Sequence, residues 1–137
     1  MKPVLYLYAG SAAAMFALDA IWLTTMADYL YRPQIGEMLA DVFRPAPAAA
    51  FYALYLSGVV RFAALPALRV GSWRKALLDG ALLGLFAYGT YDLTNQATLR
   101  VWPVLVTVAD MLWGSFLTGV SATAGYLAAR RFAPPSQ

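Results

Sequence analysis

Four apolar runs, each long enough to cross a bilayer, leave this 137-residue chain little freedom in what it can fold into. A spanning helix needs about 20 apolar residues, and it must satisfy its own backbone hydrogen bonds where no water is available. The runs cover about 4–26, 48–68, 75–98 and 102–129, so that with their connections they use nearly the whole chain. Composition agrees: 61% of residues are hydrophobic and 12% charged, against roughly 45–50% and 25% in soluble domains. The expected fold is all-α, a single transmembrane domain built as a polytopic four-helix bundle.

Met1-Lys2 ahead of an apolar stretch imitates a signal peptide. The run is too long for that, it carries Asp19 and Trp22, and no clear cleavage site follows. A retained span is expected. Lys2, Arg69, Arg74, Lys75, Arg130 and Arg131 flank the spans on one side, and only Arg32, Arg44 and Arg100 on the other. By the positive-inside rule both termini and the loop between the second and third spans are expected in the cytoplasm. Basic residues confined to helix ends do not form a nucleic-acid surface, so no nucleic-acid partner is expected.

Between the first two spans, Ile35, Met38, Leu39, Val42 and Phe43 recur at helical spacing, with Glu37 and Asp41 turned away. Pro33 suits a first turn and Pro45 closes the segment. The spacing predicts a short amphipathic helix over about 34–43 at the outer interface, either a connector on the headgroups or a lid. Tyr29, Tyr31 and Trp102 at the outer ends, and Tyr6, Trp73 and Tyr126 at the inner ends, fit aromatic belts. Small residues four apart (Gly80 and Gly84, Ser115 and Gly119, Gly10 and Ala14) let helices approach closely, inside a bundle or in a homodimer.

The residues that cost something are Asp19, Arg61, Asp92 and Asp110, all inside spans. Together they could cost on the order of 10 kcal/mol if lipid-exposed, so they are expected to face the interior. At a rise of about 1.5 Å per residue, Asp19, Asp92 and Asp110 fall at one level, about 10 Å below the outer boundary. Arg61 and Asp79 approach the inner side and are expected to form a structural ion pair. Tyr88, Asp92 and Asn95 share a face of the third helix, flanked by Tyr91. Thr107, Asp110 and Trp113 share a face of the fourth, Asp19 and Trp22 a face of the first, and Tyr52 and Tyr55 enter from the second. The pattern Asp-x-x-Trp thus occurs in both the first and the last helix. These eleven residues form the candidate layer for a ligand or a proton. The plainer alternative is that carboxyls bonded to Tyr, Asn and Thr hold the helices together and do nothing else.

Absence of histidine and cysteine excludes imidazole-ligated haem or zinc and a Ser-His-Asp triad. No cofactor and no resident metal is expected.

The run Tyr88-Gly89-Thr90-Tyr91-Asp92-Leu93-Thr94-Asn95-Gln96-Ala97-Thr98, then Trp102-Pro103 and Asp110-Met111-Leu112-Trp113-Gly114, resembles a bacterial membrane family, domain of unknown function 2177. Leu18-Asp19-Ala20-Ile21-Trp22-Leu23 and Phe51-Tyr52-Ala53-Leu54-Tyr55 are similar to it too, so the resemblance covers nearly the whole chain. It implies a small four-span inner-membrane protein and brings no activity with it.

Three readings follow. The favoured one is binding or proton-coupled transport of a small cationic or amphipathic molecule at the carboxylate layer, which in so small a protein calls for a homodimer. The others are a membrane-embedded enzyme and an accessory subunit, either acting in lipid (fatty-acid) modification. For an enzyme, carboxylates would serve as acid and base or hold a divalent cation. An enzyme is the less favoured expectation.

Overall fold

Leu7, Ser11, Met15 and Asp19 recur every four residues, and they are the buried positions in the regular part of the first long helix in the computed structural model, which describes residues 2–132. That helix, α1, runs Lys2–Met38. Its regular part ends at Met26, a π-helical turn occupies Ala27–Tyr31, and Gly36–Met38 closes it as a 3-10 turn. After an irregular stretch over 39–44, α2 runs Pro45–Val70 and contains a second π turn, Val60–Ala64. Gly71 then takes a left-handed conformation (φ 70°), which a glycine adopts without steric cost, and Ser72 caps the next helix by accepting from the Lys75 amide at 3.3 Å. The remaining helices are α3, Trp73–Thr98, and α4, Val104–Phe132.

By length and composition α1, α2 and α4 are able to cross a membrane. The fourth helix of the bundle, α3, is 26 residues long, with Asp79, Asp92 and Asn95 interrupting its apolar sequence. No strand occurs among the described residues.

The central helix is α4, which has the most buried positions and packs against α1 on one side and α3 on the other. Both contacts run antiparallel and are made where glycines meet backbone. Gly80 faces Thr118, Gly119 and Ala122, Gly84 faces Gly114 and Thr118, and Gly10 faces Gly125 and Ala128. Lipid tails are as apolar as leucine, so such close van der Waals contact, not hydrophobic burial, holds helices together here. The stripes of Gly80 and Gly84 and of Gly10 are therefore used within one chain. By contrast α2 joins the bundle chiefly through its π turn, where Val60, Ala63 and Ala64 are buried. Its first half makes few close backbone contacts, with Leu54 78% exposed.

Two expectations are corrected. No separate helix forms over 34–43: the π turn carries α1 on to Met38, and the rest of the segment is irregular with Val42 and Phe43 exposed. An uncapped ten-residue helix is marginal without packing. Only Ile35 of its apolar set is buried, in a cluster with Leu30 and Val106.

Nor do Arg61 and Asp79 pair. Asp79 bonds Lys75, one turn away on the same helix, at 2.8 Å. Arg61 faces outward with its guanidinium 5.9 Å from the Phe62 ring. An i,i+4 partner is held in place by the helix itself, whereas a long arginine can leave the interior and extend along the helix surface toward polar headgroups. A double-mutant cycle of Arg61→Gln and Asp79→Asn, read by detergent-phase melting, is therefore expected to give a coupling below about 0.5 kcal/mol. A coupling above 1 kcal/mol would restore the pair.

Candidate functional site

Three inward carboxylates are brought to the same half of the bundle, each from a different helix. Asp19 of α1 is 6% exposed, Asp92 of α3 0% and Asp110 of α4 8%. Their surroundings differ.

Asp19 is well bonded. Tyr52 of α2 donates its hydroxyl to one oxygen at 2.9 Å, and the Trp113 indole donates to the other at 3.2 Å. Asp110 accepts from the Tyr31 hydroxyl at 2.6 Å, and Tyr31 accepts in turn from the Trp22 indole at 2.9 Å. Asp92 has no donor at either oxygen, although both are fully buried. What lies beside it is the Asp110 carboxyl. The expected layer of three is thus a bonded single, Asp19, and a side-by-side pair, Asp92 and Asp110.

The two Asp-x-x-Trp segments explain one another. They lie on antiparallel helices, and Trp22 stacks on Trp113 with centroids 4.3 Å apart and planes 8° from parallel. Each tryptophan then serves the aspartate of the other helix, Trp113 directly and Trp22 through Tyr31.

The other expected residues divide. The Tyr55 hydroxyl bonds Thr118 at 2.7 Å, and its ring meets the Tyr88 ring edge-on. Tyr88 packs over Gly114, where a side chain would collide with the ring. Thr107 is buried and accepts from the Trp102 indole at 3.1 Å. Tyr91 is 60% exposed and meets Trp102 edge-on. Asn95 is half-buried, and its side chain makes no hydrogen bond within the described residues. Tyr31 is the residue that sequence reasoning missed. It looks like a belt tyrosine until the π turn brings it inward: nine residues of regular helix would set it on the face opposite Trp22, so spacing gave no signal.

Three open pockets converge on the layer. At the end of the bundle with the 39–44 segment, a wide depression of about 760 Å³ is lined by Tyr31, Arg32, Asp41, Tyr91, Trp102 and Asp110. Between α2 and α3, a groove of about 430 Å³ has walls of Phe51, Tyr55, Ala87, Tyr88 and Tyr91 and reaches Asp110. Between α1 and α2, a smaller pocket of about 190 Å³ reaches Asp19, Trp22 and Trp113. No three acidic side chains among the described residues come together as a metal cluster.

These features define an all-α membrane bundle with a polar and aromatic layer enclosed between its helices. The chain belongs to the family described as Predicted membrane protein (DUF2177), whose model matches residues 4–127. No curated protein and no solved structure matches it.

Proposed function

We propose that this protein binds a small cationic or amphipathic molecule at the Asp92–Asp110 pair, as the binding step of proton-coupled transport. One observation carries the reading: Asp92 is wholly buried, has no donor at either oxygen, and lies beside a second carboxyl that opens onto two pockets. Two neighbouring carboxyls largely screened from water favour a counter-charge, either a proton or a bound cation, and a site that accepts both can exchange one for the other. Tyr55, Tyr88 and Tyr91 supply ring faces suited to a cation or an apolar body. Asp19, with its donors Tyr52 and Trp113, is a structural support in this reading.

Access to the carboxylate layer is one-sided. Toward the termini, glycine contacts between α4 and its neighbours close the bundle, whereas the three pockets that reach the layer open at or near the opposite end. The basic residues around the termini support an orientation with that closed half toward the cytoplasm of a bacterial inner membrane.

The test is equilibrium binding of benzyltrimethylammonium to protein in phosphatidylcholine nanodiscs. Asp92→Asn and Asp110→Asn are each expected to weaken binding at least tenfold, equivalent to about 1.4 kcal/mol. Asp79→Asn, at the far end, is expected to leave it unchanged. Unaltered binding in both pair variants, with melting preserved, would remove the proposal.

A further inference from the structure

The groove between α2 and α3 differs from the other openings in where it leads. We propose that the ligand is a single-chain amphiphile with a cationic amine head, which reaches the carboxylate pair sideways from the bilayer through this groove. The inference rests on the reading of Asp92 and Asp110 as a cation site, and it adds the ligand's class and its route.

Depth is the first argument. Phe51 and Tyr55 lie six to ten residues inside α2, and Ala87 to Tyr91 lie seven to eleven residues before the end of α3. At about 1.5 Å per residue, the opening sits about 10–15 Å below the helix ends. The hydrocarbon core is about 30 Å thick, so a gap between helices at this depth meets acyl chains instead of water.

The walls are the second. Five of the six lining residues are Phe51, Tyr55, Ala87, Tyr88 and Tyr91, and the sixth, Asp110, is the only charged one. An apolar channel ending in one carboxylate suits an alkyl chain with a cation at its tip and disfavours a fatty-acid anion. The volume, about 430 Å³, lies within the range of small-molecule sites.

The packing of α2 is the third. Its first half makes few close backbone contacts with the bundle while the π turn over Val60–Ala64 fixes the second, so the wall carrying Phe51 and Tyr55 is held chiefly through side chains, the Tyr55 hydroxyl on Thr118 among them. Tyr91 and Asp110 line both this groove and the depression at the 39–44 end. An amphiphile in the groove can therefore hold its head where the two openings join, with its chain still directed into lipid.

The experiment uses the whole protein in phosphatidylcholine nanodiscs and a dodecylamine carrying a diazirine near the end of its chain, with the dodecanol and dodecanoate analogues as comparators. After irradiation, peptide mapping is expected to place amine adducts on residues 51–55 and 84–91. They should exceed those of either comparator at least fivefold and fall at least fivefold in Asp110→Asn. Ala87→Trp, which fills the groove, should lower amine labelling similarly; if that variant does not fold, Ala87→Leu should lower it about twofold. Equal labelling by amine and alcohol would mean simple lipid exposure and would overturn the inference. So would amine adducts confined to residues 23–41, the water-side opening, while benzyltrimethylammonium still binds. Loss of small-cation binding as well would show that the carboxylate reading itself had failed.

Discussion

Gly84→Val is expected to prevent α3 from packing on α4 and to unfold the bundle in mild detergent. A Cβ at Gly84 would collide with the Gly114 carbonyl and crowd the Thr118 hydroxyl, and the first of these is backbone on a neighbouring helix. No side chain can swing aside to relieve it, so the helices must separate. Ordinary overpacking costs about 1–3 kcal/mol, and a backbone clash in the interface of the central helix belongs above that range. Gly36→Ala is the matched control. Nothing lies within 4 Å of its Cβ position, so a change within about 0.5 kcal/mol is expected. Circular dichroism melting of both variants checks the contrast. A Gly84→Val protein that melts with the parent would mean that the close α3–α4 contact is absent.

That contact also marks how far the sequence could be read. The all-α bundle and the inward direction of Asp19, Asp92 and Asp110 were legible, because hydrocarbon leaves an unpaired carboxylate few alternatives. The same reasoning failed for Arg61, which lies exposed on α2. An arginine has a long apolar stem and can carry its charge away from its own Cα, which a short aspartate cannot do. Helical spacing also placed Trp113 and Tyr52 at the right level, and both bond Asp19.

What spacing could not supply was the break in the helical period. The π turn over Ala27–Tyr31 inserts backbone that ordinary periodicity does not count, and it turns Tyr31 onto Asp110 from a segment that reads as a loop. A second π turn, in α2, coincides with the change from sparse to close backbone packing that leaves the groove open. Neither has a compositional signature. The side-by-side placement of Asp92 and Asp110, as opposed to a layer of three, likewise depends on helix rotation, which one sequence does not contain.

Trp113→Ala is expected to be the most damaging single truncation in the polar layer. The ring stacks on Trp22 at 4.3 Å, meets Phe116 at 5.7 Å, and donates to Asp19. In water such a truncation costs about 3–5 kcal/mol. Within a bilayer part of that vanishes, because lipid instead of water is the alternative surrounding. The lost contacts and the missing donor remain, and about 2–3 kcal/mol is the reasonable expectation. Trp113→Phe is expected to be milder: it keeps a ring on Trp22 but loses the N–H and part of the indole's contact area, for a cost of about 1–2 kcal/mol while Tyr52 still serves Asp19. Trp22→Ala should also be costly, since it removes the same stack and the donor to Tyr31. The double truncation should then cost less than the sum of the singles by about 0.5–1.5 kcal/mol, the contribution of an aromatic pair. Strict additivity in melting experiments would mean that the rings do not stack. A clear coupling would tie the two Asp-x-x-Trp segments into one unit, in which Trp113 holds Asp19 and Trp22, through Tyr31, holds the Asp110 that faces the ligand groove.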